Sequence, residues 1–209
     1  MDGLGKEFLI SFYDAQFRLH GDRPEAVRWS PAGQLERYRL MVEMSPGLPG
    51  SRVLDYGCGK GDFLGFLEDR GISVRYTGLD INPTLIEFAR AKYPGRDFRV
   101  FDVEERDLEE PFDYVYLCGV FNNRVEGVGD SLRNVMGLLF RHARRGLAVN
   151  CLSSHARDKA PELNYTDPAG LMDFAVTGLS PHVALRHDRI EGDFTLFVYR
   201  SPSTGMGGR

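Results

Sequence analysis

The sequence predicts an α/β fold in which a doubly wound, mixed sheet of seven strands is covered by helices on both faces. Three observations predict it. Residues 51–152 alternate between short apolar stretches and amphipathic, helix-like ones, which is typical of right-handed βαβ units with parallel strands. Near the C-terminus, two strand-like stretches are joined by "EGD", which indicates a final antiparallel hairpin. The first 50 residues follow a third pattern, which is helical.

Those first 50 residues predict a helical cap ahead of the sheet. The stretch "EFLISFYDAQFRLH" has helical spacing. Its clustered apolar side chains are Phe8, Leu9, Phe12, Tyr13 and Phe17. A second helix, "SPAGQLERYRLMVEM", begins after Ser30 as its N-cap, with Pro31 at the first helical position. Two interpretations stay open: the cap either covers the sheet edge by packing or acts as a lid over a substrate.

The sheet itself is predicted from residue 51 onward. Its parallel strands are "RVLDYG", "VRYTGLD", "DFRVFD", "YVYLCG" and "GLAVNCL". The helices between them are "GDFLGFLEDRG", "NPTLIEFARAKY", which begins with Asn82 as N-cap and Pro83, and "DSLRNVMGLLFRHARR". After residue 152 we expect a helix over "PAGLMDFAVTG" and strands over "HVALRHDRI" and "DFTLFVYR". The predicted organisation is therefore a cap over 1–50, a sheet domain over 51–200 and a flexible, Gly- and Ser-rich tail over 201–209.

Composition limits the classes of protein to consider. The 209 residues are enough for one domain with a substantial core, and 42% of them are hydrophobic while 27% are charged, as in soluble globular proteins. A net charge of −4 disfavours a nucleic-acid partner, and no apolar stretch approaches the roughly 20 residues of a membrane span. The cysteines Cys58, Cys118 and Cys151 show no CxxC spacing, which disfavours zinc. Their odd number and the N-terminal sequence favour the cytoplasm.

The stretch "VLDYGCGKGDF", residues 53–63, predicts a nucleotide-binding turn at the end of the first strand. It does not match the G-x-G-x-x-G pattern of dinucleotide sites, since the third glycine comes one residue early. In addition, Asp55 and Asp62 flank the turn, where carboxylates would repel a pyrophosphate. A ligand with a cation and no phosphate fits better. S-adenosylmethionine, with its sulfonium and α-ammonium groups, is such a ligand.

Three acids at the ends of three successive strands predict a ring around one crevice. We expect Asp55 to attract the ligand's ammonium group and Asp80 to bind the ribose hydroxyls. Asp102 is placed to accept a hydrogen bond from the adenine amino group. Gly57 and Gly59 allow the backbone to approach the ligand closely.

Four motifs, in order, resemble those of class I S-adenosylmethionine-dependent methyltransferases. "VLDYGCGKG" matches the D/E-x-G-x-G-x-G signature of that family, and "YTGLDIN", "FDVEE" and "FDYVYLCGVFN" match its next three motifs. The resemblance covers residues 51–152 by motif and 183–200 by topology. It implies a Rossmann-like fold and methyl transfer from S-adenosyl-L-methionine, with S-adenosyl-L-homocysteine as product. It also implies further cofactor-binding residues, which are Asp62, Phe63, Ile81, Val103, Cys118 and Gly119.

A pattern in the cap is similar to a bacterial subgroup of these enzymes. "WSPAGQLERYRL" contains Trp-Ser-x3-Gln-x2-Arg, and "LNYTDP" and "LRHD" followed by "FT" match the same subgroup. The resemblance implies that Arg37, with Gln34 beside it, reaches the cofactor carboxylate. The alternative is that Arg37 forms a surface ion pair with Glu36 or Glu43. No substrate can be attached to the subgroup.

Methyl transfer needs no shared catalytic residue, because the protein mainly aligns the acceptor and removes its proton where necessary. The candidates therefore come from topology. His155 follows the fifth strand and is expected either as a general base or as an exposed loop residue. Asn122 is expected either to bind the acceptor or cofactor or to serve as a helix N-cap. Tyr13 and Tyr165 are expected either to cover the site or to pack.

The segment after the fourth strand narrows the class of acceptor. "LCGVFN" stands where many nucleic-acid methyltransferases carry N/D-P-P-Y/F, and Cys118 lacks the preceding proline of C5-cytosine enzymes. Asp113 lies at the wrong end of its strand for a metal-assisted enzyme. We therefore expect a small-molecule acceptor, no metal, and a monomer or homodimer. A non-catalytic cofactor-binding subunit, an enzyme that cyclises S-adenosylmethionine and, more remotely, an NAD-dependent dehydrogenase stay open.

Overall fold

The computed structural model describes residues 1–202, so most of the predicted tail, residues 203–209, lies outside the described residues. The strands are β1 (Arg52–Tyr56), β2 (Arg75–Asp80), β3 (Asp97–Val100), β4 (Phe112–Cys118), β5 (Ala143–Leu152), β6 (Val183–Arg186) and β7 (Asp193–Tyr199). The helices are α1 (Gly3–His20), α2 (Pro31–Glu43), α3 (Asp62–Asp69), α4 (Pro83–Lys92), α5 (Val128–His142) and α6 (Pro168–Gly178), with a short 3₁₀ helix over Pro24–Val27.

The predicted fold class is confirmed. The strands form one seven-stranded sheet in the order β3-β2-β1-β4-β5-β7-β6. Strands β1 to β5 pair in parallel, and β7 is antiparallel to both β5 and β6. The strand order reverses direction between β1 and β4, and open α/β sheets bind ligands at the carboxyl end of such a reversal. Asp55, Asp80 and Asp102 were predicted to lie at this edge, where the parallel strands end.

Several element boundaries differ from the expectation by a few residues, and two of the differences have a clear physical cause. The helix predicted through residue 145 ends at His142, and β5 begins directly at Ala143. Ala143 adopts an extended conformation and pairs with Phe112 of β4, so sheet pairing overrides the helical pattern of "ARR". The sixth strand is shorter than "HVALRHDRI", because it pairs only with β7 and ends where Arg186 turns to bind Asp188.

The core lies on both faces of the sheet. On one face, α5 buries the five residues predicted from its spacing, which are Leu132, Val135, Met136, Leu139 and Phe140. On the other face, α2 and α3 pack an aromatic cluster in which the ring of Phe63 lies 5.1 Å from both Tyr38 and Tyr116. The sheet is therefore packed between two helical layers, as the fold class predicts.

The cap docks on the sheet through the N-terminus of α4. Asn82, the predicted N-cap of this helix, accepts from the Leu85 backbone and donates through Nδ2 to the Ile10 carbonyl at 3.2 Å and to Asp14 Oδ1 at 2.9 Å. One face of α1 is therefore held against the sheet. Phe8, which was expected within an apolar cluster, points outward and is 55% exposed. Within residues 1–202, no helix combines the length and apolarity required to span a bilayer.

Candidate active site

The glycine-rich turn follows β1 and doubles back under the end of β2. The φ angles of Gly57, Gly59 and Gly61 are 76°, 53° and 80°, a region that side chains other than glycine rarely adopt. The backbone N–H of Gly57 donates to the Leu79 carbonyl at 2.7 Å. A Cβ at position 57 would lie 2.5 Å from Val120 Cγ2, so the turn also requires glycine for lack of space.

Asp80, at the end of β2, fixes this turn. Its Oδ2 accepts from the Gly59 backbone at 2.8 Å, and its Oδ1 accepts from the Asn82 backbone at 2.9 Å. Burial raises the pKa of Asp80, although these backbone hydrogen bonds oppose the shift. A carboxylate has about four lone-pair sites, so Asp80 can accept two further hydrogen bonds from a ligand.

Asp55 lies at the end of β1 and is almost completely buried. Its Oδ2 accepts from the Tyr76 hydroxyl at 2.6 Å. The pKa of Asp55 is raised to about 7: burial and the charges of Asp80 and Asp62 raise it, and the hydrogen bond from Tyr76 partly opposes them. A cation bound beside Asp55 would favour the charged form and bring this pKa down again.

Asp62 is not the free carboxylate that the sequence suggested. Lys60 Nζ lies 2.6 Å from Asp62 Oδ2, and Gln34 Nε2 donates to the same oxygen at 2.9 Å. Lys60 also reaches Asp22 of the cap at 3.3 Å, and its side chain is only 2% exposed. The pairing compensates the charge of Asp62, so Asp62 by itself does not exclude a phosphate. Through Lys60–Asp22 and Gln34–Asp62, the same contacts connect the glycine-rich turn to the cap.

Asp102 follows β3 and is paired with the cap. Lys6 Nζ of α1 lies 2.6 Å from Asp102 Oδ2, and the Glu104 backbone donates to Asp102 Oδ1 at 2.8 Å. Burial lowers the pKa of Lys6, but the hydrogen bond and charge of Asp102 raise it overall. Sequence reasoning missed Lys6, since a single lysine on an amphipathic helix carries no motif.

These acids and glycines surround one cavity of about 130 Å³ beneath the cap. The predicted cofactor residues that line it are Asp55, Gly57, Gly59, Asp62, Asp80, Ile81, Asp102, Cys118 and Gly119. Phe63 and Val103 were also predicted but do not line it. Phe63 belongs to the aromatic cluster around Tyr38, and Val103 packs in the core on the other face of the sheet. Both side chains are buried in apolar packing. A motif match identifies the position of a residue but does not tell whether its side chain contacts the ligand or the core.

A second cavity, of about 260 Å³, adjoins the first. The two share four lining residues, which are Tyr13, Val27, Trp29 and Gly119. The second cavity is otherwise lined by Arg28, Ser30, Arg37, Asn122, Asn123, Leu152 and Leu163. The two cavities therefore adjoin each other at these residues.

Arg37 lines the second cavity and not the first. Its Nε donates to Asp193 Oδ2 at 2.9 Å and to Asn150 Oδ1 at 3.2 Å, and its Nη2 also pairs with Asp193. The surface alternative is wrong, because Glu36 and Glu43 pair with other arginines. Asp193 lies 156 positions further along the chain, so sequence spacing gave no sign of this pair.

Two of the four catalytic candidates lie at the second cavity. Tyr13 accepts a hydrogen bond from Asn123 Nδ2 at 2.7 Å, and burial raises the pKa of Tyr13 to about 12. Asn122 Oδ1 accepts from the Leu152 backbone at 3.1 Å. The N-cap interpretation of Asn122 is wrong, because α5 is capped by Gly127.

His155 and Tyr165 line neither cavity. The His155 backbone donates to Ser153 Oγ at 3.1 Å, and its ring lies 6.2 Å from that of His187. The Tyr165 hydroxyl accepts from the Ala160 backbone at 2.8 Å. Topology placed both residues on the correct edge of the sheet, but the turn after β5 carries them away from the cavities.

Comparison with known proteins defines the family of this chain. The profile of a family described as "Methyltransferase domain" matches residues 53–146. Rv1506c of Mycobacterium tuberculosis, named as a methyltransferase, is 32% identical over 155 residues, which are 71% of this chain and 93% of that protein. The chain belongs to the class I S-adenosylmethionine-dependent methyltransferases, as the motifs predicted, and its cofactor is S-adenosylmethionine.

Two further proteins are similar to this chain, one in fold and one in part of its sequence. Magnesium protoporphyrin IX methyltransferase of Synechocystis PCC 6803, solved with bound S-adenosylhomocysteine, superposes with a TM-score of 0.67 at 16% identity, covering 94% of this chain and all of that one. Trans-aconitate 2-methyltransferase of Rhizobium rhizogenes is 33% identical over 103 residues. That match spans 46% of this chain and 40% of the relative. More than half of the relative's length therefore lies outside the match.

Proposed function

We propose that this methyltransferase acts on a small molecule, with the cofactor in the first cavity and the acceptor in the second. The observation that carries the proposal is the wall that the two cavities share, formed by Tyr13, Val27, Trp29 and Gly119. In-line displacement requires the acceptor atom to approach the methyl carbon from the side opposite sulfur. Two ligands held in adjoining cavities beneath one cap are placed for such an approach.

The residues of the first cavity fit the cofactor. Asp80 has acceptor capacity for the ribose hydroxyls, Asp55 would gain from the α-ammonium, and Asp102 would accept from the adenine amino group. The turn brings backbone close to the ligand because Gly57 has no side chain. Gly119 is also required to be small, since a Cβ there would lie 2.5 Å from Trp29 Cζ2.

S-adenosylmethionine supplies an activated methyl group on a positively charged sulfur, which is a good leaving group. The chain's own residues then have to bind, orient and shield the reactants. We propose that Arg37 serves the acceptor cavity, which it lines, in place of the cofactor carboxylate. Tyr13 and Asn122 are proposed to orient the acceptor, and neither His155 nor Tyr165 is assigned a role.

The second cavity favours methyl transfer over the two alternatives. An enzyme that cyclises S-adenosylmethionine needs no room for an acceptor, and a non-catalytic subunit would not need to keep that room. Product analysis separates these functions, because cyclisation releases a thioadenosine whereas methyl transfer releases S-adenosylhomocysteine.

We also propose a cytoplasmic location and a monomer or homodimer. The free thiols of Cys58, Cys118 and Cys151 are in keeping with a reducing compartment.

Calorimetric titration with S-adenosylhomocysteine tests the cofactor site. Asp80→Asn should weaken binding roughly 100-fold, because two charge-assisted hydrogen bonds to the ribose are reduced. Asp113→Asn is the matched control, since Asp113 accepts from the Arg52 backbone at the opposite end of the sheet and should not change the affinity. Thermal unfolding verifies that both variants fold. Binding of NAD in place of S-adenosylhomocysteine would contradict the proposed function.

A further inference from the structure

The second cavity is lined by hydrogen-bond donors and contains no base. Its polar lining includes Tyr13, Arg28, Trp29, Arg37, Asn122 and Asn123. Among residues 1–202, no Asp, Glu, His, Lys or Cys side chain lines it. The first cavity differs, because several carboxylates line it, although Lys6 and Lys60 pair with two of them. A lining rich in hydrogen-bond donors, two of them charged, and without carboxylates suits an anion.

Two guanidinium groups of the cap, those of Arg28 and Arg37, supply positive charge to this lining. Arg28 Nη2 donates to Glu162 Oε1 at 2.9 Å, and Arg37 is held by Asp193. Neither carboxylate partner lines the cavity. Within the described residues, Nη1 of each arginine makes no hydrogen bond to side chain or backbone. Each ion pair therefore orients a planar fork and leaves one of its edges for a ligand.

The neutral side chains also present hydrogens. Because the Tyr13 oxygen accepts from Asn123, its own O–H is available to donate. The pKa of Tyr13, raised to about 12 by burial, keeps that proton in place at neutral pH. The Asn122 oxygen is occupied by the Leu152 backbone, so this side chain offers its amide nitrogen. None of these groups can remove a proton from an acceptor.

We propose that the acceptor is a carboxylic acid, bound as its carboxylate by Arg28 and Arg37 and methylated on oxygen to give a methyl ester. The inference rests on the proposed function and names the substrate class of the same site. A carboxylate oxygen forms the new bond to the methyl carbon with its own electron pair, while the bond from carbon to sulfur breaks and its pair stays on sulfur.

The chemistry accounts for the missing base. No proton leaves the acceptor, because the nucleophile arrives already ionised. The negative carboxylate and the positive sulfonium attract each other before the reaction, and both are neutralised by it. An alcohol, phenol or ammonium acceptor would require a base at this wall, and the lining provides none.

Trp29 gives a direct readout of acceptor binding. It is the single tryptophan of the chain, it forms part of the shared wall, and its ring lies 5.1 Å from Arg37 Cζ. With the protein saturated in S-adenosylhomocysteine, its fluorescence is recorded during titration with acetate, benzoate and trans-aconitate. Acetamide, benzamide and trimethyl trans-aconitate serve as neutral counterparts. At least one acid should bind about tenfold more tightly than its neutral counterpart, since charge-assisted hydrogen bonds are lost in the latter.

Arg28→Gln should weaken the responding acid about tenfold while calorimetric affinity for S-adenosylhomocysteine is retained, and Arg28→Lys should restore part of the loss. Arg96→Gln is the matched control, because Arg96 pairs with Glu68 on the surface away from both cavities. When the responding acid is incubated with methyl-labelled S-adenosylmethionine, alkali should release the transferred label as methanol.

Three results would overturn the inference. They are equal binding of an acid and its neutral counterpart, no saturable response to any of the three acids up to about 20 mM, and a transferred methyl group that is stable to alkali. In each case intact binding of S-adenosylhomocysteine would leave the proposed function standing. Loss of that binding in the wild-type protein would instead contradict the proposed function itself.

Discussion

The two cavities beneath the cap are built from differently distributed residues. The first takes its acids and glycines from short motifs at the ends of four neighbouring strands, and these motifs fall within residues 55–119. The second combines α1, the segment 27–30, α2, the segment 119–123 and positions 152 and 163. The first cavity is therefore defined by local motifs, whereas the second, which we propose holds the acceptor, is assembled from segments that lie far apart in the chain.

The cavities also differ in charge. Asp55, Asp80 and Asp102 make the first suitable for a ligand with cationic and hydroxyl groups. Arg28 and Arg37 make the second suitable for an anion. Opposite charges in adjoining cavities would align a positive methyl donor with a negative acceptor. Substitutions that affect one cavity and spare the other test this contrast.

The largest effect is expected at the backbone of the first cavity. Gly57→Ala should lower the free energy of unfolding by about 4 kcal/mol and abolish S-adenosylhomocysteine binding, since it combines a strained positive φ with a Cβ pressed against Val120. Chemical denaturation and calorimetry measure the two effects. Gly137→Ala is the control: that glycine lies within α5 with open space at its Cβ, and alanine there should be neutral or slightly stabilising. If the Gly57→Ala variant bound S-adenosylhomocysteine as tightly as the wild type, the turn would not need glycine at this position, and the steric argument would be wrong.

A smaller effect is expected at the buried ion pair of the second cavity. Asp193→Asn leaves Arg37 without its charged partner and should cost roughly 2–3 kcal/mol, less than a fully enclosed pair, because Arg37 borders a cavity that water can enter. Asp188→Asn, at an exposed pair with Arg186, should change stability within error. Urea denaturation at pH 7 measures both. Affinity for S-adenosylhomocysteine should survive in the Asp193 variant, and its loss would mean that the two cavities are not separable.

The smallest effect concerns the pH dependence of the first cavity. The pKa of Asp55, raised by burial to about 7, means that the empty folded protein holds a proton that the unfolded chain loses near pH 4. Stability contributed by this proton is therefore lost as pH rises from about 4 to 7. Asp55→Asn, which cannot titrate, should melt about 5 °C above the wild type at pH 8 and close to it at pH 4. Saturating S-adenosylhomocysteine should reverse the order at pH 8.

Differential scanning fluorimetry across this pH range tests the expectation, and other titrating groups cancel between the two proteins. Equal melting temperatures at pH 8 would show that Asp55 is not penalised by burial, and its proposed partnership with a cationic ligand would lose its electrostatic basis.

The fold and the first cavity could be predicted because their determinants are local. Alternating strand and helix patterns set the parallel sheet, and strand ends in such a sheet meet at one edge. The motif acids therefore lay where they were expected. Phe63 and Val103 were exceptions, because position within a motif does not tell which face of the sheet a side chain joins.

The sequence by itself determined the fold class, the family and most of the first cavity, since each depends on residues close together in the chain. Only the tertiary structure brought Arg37 to Asp193, Lys60 to Asp22 and Lys6 to Asp102. It alone joined the cap to positions 152 and 163 to form the second cavity. The physical reason is that ion pairing and cavity shape depend on distances in space, and residues more than a hundred positions apart leave no periodic or motif signal.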